Sequence, residues 1–183
     1  MDYYFDIRVL PDSEFKETTL INAVYAKLHR MLMPVAEGRI GVSFPHYEKN
    51  LGDTIRVHGN AADLDKLQTE PWLKGLRDYT DVSAVQPVPV GCQYRVVSRR
   101  QAKSAHNKRK RLVNKGWMTI EAAWQKHPDE STKLLELPYA QFQSLSSQSI
   151  MRVFIDHTAL VEQPAGGTFS SYGLSKTATI PWF

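Results

Sequence analysis

The chain has 183 residues, 42% hydrophobic and 23% charged, with a net charge of +4. That length and composition support an apolar core and exclude a disordered or collagen-like chain. The single cysteine, Cys92, excludes an internal disulfide, and no run approaches the roughly 18 apolar residues that span a bilayer. The start, MDYYFDIRVL, carries acids at 2 and 6 and does not read as a signal peptide, so a soluble, cytoplasmic protein is expected.

Residues 2–10 alternate β-formers and read as a strand. Glu14 to Met33 turns helical, with Leu20, Val24, Leu28 and Met31 on one face and Pro34 as the expected stop. Residues 39–44 and Thr54 to His58 read as two more strands. Asn60 is an N-cap for a helix from Ala61 to about Leu76, with Leu64, Leu67 and Leu73 inward. Val82 to Val90 is a fourth extended segment. This β-α-β-β-α-β order predicts an α+β protein with an N-terminal ferredoxin-like domain over 1–91. A smaller α+β domain over 92–183 would follow, carrying the basic segment. It holds a short strand at Tyr94 to Ser98, a helix from Ala105 to Lys115 stopped by Gly116, and a short helix from Thr119 to Gln125. Strands are expected at Tyr139 to Leu145, Met151 to His157 and Gly167 to Tyr172.

The charge is not spread evenly. Between Val82 and Ile120 there are nine Lys/Arg and no acid, whereas the other 144 residues carry 14 Lys/Arg against 19 Asp/Glu. Localised charge makes a local field and a local site. A membrane-surface helix would carry a bulky apolar face, but residues 103–115 offer mainly Leu112 and Val113, so no membrane partner is expected. Nucleic acid fits better.

The six histidines have no close metal-ligand spacing, Cys92 has no partner, and Gly166-Gly167 is followed by no phosphate-binding helix. No metal and no cofactor are expected. Metal-free cleavage of nucleic acid has a direct route only in RNA, where the 2′-OH attacks the adjacent phosphate. That route needs a base near neutral pKa, and histidine is the natural one. His29, at the border of the first helix's apolar face, His58 on a strand and His157 at a strand end all remain open on residue type alone. Any of them could equally be a histidine without a role.

Several stretches together resemble the repeat-processing endoribonucleases of type I-F CRISPR systems, the Csy branch of the Cas-six family. They are MDYYFDIR, AKLHR at 26–30, RIGVSFP at 39–45, PWLKGLRDY at 71–79, SRRQAKS at 98–104, RVFIDH at 152–157 and SSYGLSKTATIPWF at the C-terminus. The resemblance implies an enzyme that binds the hairpin of each CRISPR repeat RNA and cuts at the 3′ base of the stem without metal. It also implies that the enzyme stays on its product alongside the other subunits of the type I-F surveillance complex. It puts the family's histidine on His29 and its tyrosine on Tyr172. A gapless reading from Leu137 to Phe154 puts the family's two serines on Ser144 and Ser146, while a gapped reading favours Ser147. Arg99 and Gln101 correspond to the base-reading residues. Bidentate Arg to guanine and Gln to adenine suit these side chains. Arg100, Lys103, Lys108, Arg109, Lys110, Arg111 and Lys115 are expected to meet the RNA backbone and groove. Met151 stands where relatives can have an aromatic that stacks on a base. A non-catalytic subunit that only caps a guide RNA would need the basic helix and Arg99 but not His29.

Overall fold

The computed structural model describes residues 1–101, 105–129, 135–143 and 149–183. Lys103, Ser144, Ser146 and Ser147 lie outside the described residues. The fold is mixed α+β, with antiparallel sheets and four helices among the described residues. Met1–Arg99 and Leu137–Phe183 form one unit, and Arg100–Glu136 forms a second.

In the first unit, β1 (Tyr3–Val9) is the strand that the alternation predicts. Phe5, Ile7 and Val9 point inward and are 0–1% exposed. It pairs with β3 (Thr54–Gly59) on one side and with β4 (Thr80–Val82) and β5 (Gln86–Pro87) on the other. β2 (Gly41–Ser43) extends the sheet beyond β3, giving the order β2-β3-β1-β4 with its pairings antiparallel. Helices α1 (Glu17–Ala36) and α2 (Ala61–Thr69) pack on β1 and β3, and their buried Leu20, Val24, Leu28, Leu64 and Leu67 join Phe5 and Ile7 in one core.

Four expected boundaries move. Helix α1 starts three residues late because Asp12 Oδ1 accepts from the amides of Glu14 (2.8 Å) and Phe15 (2.7 Å), holding them in a turn. It also runs past Pro34. The proline lies in the last turn and removes one hydrogen bond, while Val35 and Ala36 beyond it are buried, and Glu37 closes the helix at φ 48°. Helix α2 stops at Thr69, since Pro71 holds Glu70 in extended conformation (φ −74°, ψ 139°); Pro71–Leu73 form a 3-10 turn. The expected long fourth strand is two short ones, because Ser83 exchanges bonds with the Asp6 backbone through both its amide and its hydroxyl, each 2.9 Å.

The later strands are β6 (Gln93–Arg95), β7 (Val97–Arg100), β8 (Tyr139–Gln143), β9 (Ile150–His157) and β10 (Ile180–Trp182). β7, β9 and β8 form one sheet, and β10 pairs with β6 in another. The expected 91/92 division differs from the observed units: residues 92–99 and 137–183 belong to the first. Leu174, Ala178 and Ile180, 0–3% exposed, share the core of Phe5 and Leu28, so the chain's end is part of its first core.

The second unit holds α3 (Ala105–Asn114), followed by Gly116 at φ 67°, and α4 (Ile120–Lys126), capped by the Thr119 hydroxyl accepting from the Ala122 amide. The two helices pack together around little apolar matter. Ala105 and Ala123 are buried, and so is Arg109, at 6% exposure. The Arg109 guanidinium donates to the His127 carbonyl and the Asp129 carboxylate, both at 2.6 Å, and lies 3.6 Å from the Trp124 ring centroid. No helix among the described residues is long and apolar enough to cross a membrane.

Two stability measurements test these assignments. Arg109→Ala is expected to destabilise the α3–α4 unit by about 1–3 kcal/mol, read as faster amide hydrogen exchange in both helices. Arg109→Lys should recover less than half, because one ammonium cannot reproduce the fork and the ring contact. The second concerns His58, which is fully buried on β3 with Nε2 2.8 Å from Ser43 Oγ; burial foremost holds its pKa at about 3. The unfolded chain protonates this residue near pH 6.5, the folded chain only near pH 3. Above pH 6.5 neither state carries the proton and the effect vanishes. Below it the unfolded state holds the extra proton, so stability falls as pH falls, by about 1.4 kcal/mol per unit. Denaturant midpoints from pH 7 to pH 5 should fall at least this steeply, because His157, which burial holds at about 4, adds to the slope, and His58→Leu should reduce the slope by the His58 share whatever its absolute stability.

Candidate functional site

Helix α1 carries Tyr25, Leu28, His29 and Leu32 on adjoining turns. Tyr25 and Leu28 are fully buried, whereas His29, one position round from Leu28, is half-buried. Being four residues apart, Tyr25 and His29 lie on the same side of the helix. The Tyr25 hydroxyl donates to the backbone carbonyl of Tyr172 at 2.8 Å. The His29 ring stacks on the Tyr172 ring, with centroids 5.1 Å apart and planes 17° apart. Burial foremost, with the Tyr172 hydroxyl beside it, pushes the Tyr25 hydroxyl well above its usual range, against the pull of the Arg99 cation. Burial first and then Arg30 hold the His29 imidazolium below the usual histidine range.

Tyr172 does not sit on a strand, as the sequence suggests, but in a turn. Gly173 N–H donates to the Ser170 carbonyl at 2.8 Å, and Gly173 takes φ 67°. A side chain at Gly173 would meet both the strained φ and the side chain of Val42. The Val42 amide donates to the Gly173 carbonyl at 2.8 Å, so β2 and α1 grip successive carbonyls of this turn.

Arg99, near the end of β7, lies with its guanidinium carbon 4.9 Å from the Tyr172 ring centroid and Nη2 3.6 Å from Met151 Sδ. Its Nε is buried without a hydrogen-bond partner. The Met151 sulfur is also 4.0 Å from the Tyr172 hydroxyl. His29, Tyr172, Arg99 and Met151, all expected from the sequence, are therefore brought together. Met151 faces Phe142 across the β8–β9 ladder, and Phe142 stacks on His29 at 5.1 Å and 19°. The sequence reading missed Phe142 and Tyr25. Their signals were the alternation of Ala140 and Phe142 on β8 and the i, i+4 spacing of Tyr25 from His29.

The other two histidines are elsewhere. His58 is fully enclosed in the sheet, and His157 stacks on Tyr47 (3.7 Å, 6°) with both ring nitrogens buried and unpartnered; burial foremost holds its pKa at about 4. In the second unit Lys110, Arg111 and Lys115 on and after α3 are exposed and Lys108 is half-buried. Lys115 Nζ lies 4.5 Å over the Trp117 ring. Arg109 differs from its neighbours. It was expected to meet RNA, but it is turned inward, with its donors committed to His127 and Asp129. Arg100 and Gln101 are exposed. A cavity of about 420 Å³ lined by Gln68, Trp72 and Arg77 includes none of the expected site residues. Among the described residues the site is a cluster of aromatic rings with the Arg99 cation beside them.

Residues 4–183 match the family model of the CRISPR-associated protein Cas_Csy4. Among characterised relatives, the CRISPR-associated endonuclease Cas6/Csy4 of Escherichia coli strain UTI89 is 47% identical over 184 residues, covering the whole of both chains. The CRISPR-associated endonuclease Cas6/Csy4 of Pseudomonas aeruginosa strain UCBPP-PA14 is 40% identical over 187 residues, again covering both chains. With the match running from the first strand to the last residue, the chain belongs to the Csy4 family of CRISPR-associated proteins.

Proposed function

We propose that this protein is a metal-independent endoribonuclease that matures CRISPR RNA. It binds the hairpin of the repeat, cuts at the 3′ base of the stem by 2′-OH attack, and keeps its product. The observation that carries this reading is the His29 imidazole, half-buried on α1 and stacked on Tyr172, with Arg99 on the same tyrosine ring. The endonuclease names of the full-length relatives support it.

In the proposed reaction His29 takes the proton of the 2′-OH, and Ser144 holds that hydroxyl in line with the phosphate. The new bond joins O2′ to phosphorus, and the bond from phosphorus to the 5′ oxygen breaks. The departing 5′ oxygen takes a proton from water, and the products are a 2′,3′-cyclic phosphate and a 5′-OH end. Tyr172 buttresses His29. Correct alignment supplies much of the rate even with a modest base. Arg99 and Gln101 read base edges near the bottom of the stem, while Arg100, Lys103, Lys108, Lys110, Arg111 and Lys115 meet phosphates. Ser146 and Met151 complete the nucleotide contacts, the methionine offering a softer surface than an aromatic ring. Many phosphate contacts make release slow and salt-dependent, as retention of product within a surveillance complex requires. The β2-β3-β1-β4 order with α1 and α2 supports a ferredoxin-like reading of the first sheet. The proposed place of action is the cytoplasm.

The test is cleavage of a repeat hairpin in EDTA. Wild type should cut. His29→Ala should lose about 10²–10⁴-fold in single-turnover rate while still binding. A 2′-deoxy nucleotide before the scissile phosphate should abolish cutting. A hairpin bound but never cut by wild type would identify a non-catalytic capping subunit instead. The rate should rise with pH as His29 loses its proton. Because burial and Arg30 lower that pKa, the acid limb of the free enzyme should lie below the usual imidazole range, leaving kcat/KM flat through neutral pH.

A further inference from the structure

We infer that Phe142 is a positioning residue for His29, fixing the plane of the imidazole by stacking; this rests on the proposal above that His29 is the base. A histidine's terminal torsion is soft, with broad two-fold minima. Where a histidine acts as a base, a third group hydrogen-bonded to it ordinarily sets its orientation. Among the described residues neither ring nitrogen of His29 has such a partner, and its lowered pKa arises from burial and Arg30 without a side-chain hydrogen bond. The orientation is instead set by flat rings.

Three near-parallel rings meet here. His29 lies 5.1 Å from Phe142 and 5.1 Å from Tyr172, and these two are 6.3 Å from each other, with interplanar angles of 19°, 17° and 29°. Rings on opposite faces of the imidazole would stand much farther apart than 6.3 Å. So the three form a mutually adjacent, offset group. This differs from His157, whose contact with Tyr47 goes with two buried, unpartnered nitrogens, a state that His29 does not share. The arrangement at His29 restrains the ring plane without taking its nitrogens from the substrate.

Phe142 is itself held firmly. It is 9% exposed and points inward on β8 with Ala140. Its neighbour Gln141 donates its amide to Asn22 Oδ1 at 2.8 Å, which ties β8 to α1 one residue away. Tyr25 meets the Phe142 ring edge-on, at 6.2 Å and 86°. The strand beside His29 is therefore anchored to the same helix that carries His29. Phe142 also stands two residues before the proposed Ser144 in sequence.

Phe142→Leu keeps apolar bulk and removes the flat ring. Phe142→Met is a second non-planar replacement should leucine impair folding, and Phe142→Tyr restores the ring. The readouts are single-turnover cleavage of a repeat hairpin, affinity for the uncleavable 2′-deoxy hairpin, and the NMR shifts of the His29 ring protons, with His29→Ala in parallel. Phe142→Leu is expected to lose about 10- to 100-fold in rate, with hairpin affinity within about twofold and the His29 ring-current shift reduced. Phe142→Tyr is expected to stay within about threefold of wild type, since the stack is retained. Loss of the ring-current shift with an unchanged rate would overturn the inference. So would equal losses of rate and affinity in all three variants, which would make Phe142 a core residue only. If His29→Ala is inactive and Phe142→Leu is unimpaired, this inference alone fails. If His29→Ala cuts like wild type, the reading of His29 as the base fails and the role of Phe142 goes with it.

Discussion

The hydrogen bond from the Tyr25 hydroxyl to the Tyr172 carbonyl joins the first helix to a turn 147 residues away. A buried hydroxyl needs a partner, because an unsatisfied one costs about 1–3 kcal/mol. Tyr25 finds its partner in the residue whose ring lies against His29. The next carbonyl, that of Gly173, accepts from Val42 on β2. Two consecutive carbonyls of one turn are therefore fixed by two different core elements. The core does not merely lie beneath the cluster. It determines where the Tyr172 ring stands, and so where the imidazole can lie, before any RNA is present.

The acid-free stretch gains a physical meaning from the arginines around it. Arg39 is paired with Asp63 (2.8 and 2.9 Å) and Arg56 with Asp6 (2.7 and 2.9 Å), each through two bonds. These cations are structural. Arg99 is treated differently: its guanidinium lies against a ring face and a sulfur, both weak acceptors, and its Nε has no partner. Withholding acids from residues 82–120 leaves Arg99 without a sequence neighbour that could quench it. A guanidinium so poorly satisfied gains more from a guanine edge or a phosphate than one already forked onto a carboxylate. Arg109 is the exception within the stretch, and its acid, Asp129, comes from beyond it. That pair, with Trp124, supplies the α3–α4 unit with the interior that its few apolar residues cannot.

Much of this was legible in the sequence, and the failures have particular causes. The period of α1, the Asn60 cap and the alternation of β1 are local signals, and they stood. His29 was readable as a border position because Leu28 beside it is unambiguously inward. The segment 167–172 read as a strand because tyrosine and phenylalanine favour strands. Gly173, which the turn requires, lay just beyond the reading. Pro34 misled because a proline in a last turn costs one bond and the burial of Val35 and Ala36 offsets it. Arg109 could not be told from Arg111 by composition. Only the packing of α4 across α3 turns one inward and leaves the other exposed. Phe142 was invisible because its role is defined by a helix more than 100 positions earlier in the chain.

The charge on His29 depends on what it faces. In the free protein burial and the Arg30 cation both disfavour the imidazolium, so the ring is neutral and ready to accept a proton, but it is a weakened base. An RNA phosphate brought beside it acts with the opposite sign and favours the imidazolium. In the proposed reaction the substrate's own charge would then restore basicity as the 2′-OH proton moves, while the lowered pKa keeps the free imidazole unprotonated. A base tuned in this way requires that the imidazole not turn toward the phosphate as a simple ion pair. Near-parallel aromatic rings suit that requirement better than a carboxylate partner would. A carboxylate would raise the resting pKa and set a like charge beside the incoming phosphate, whereas stacked rings restrain the plane and add no charge.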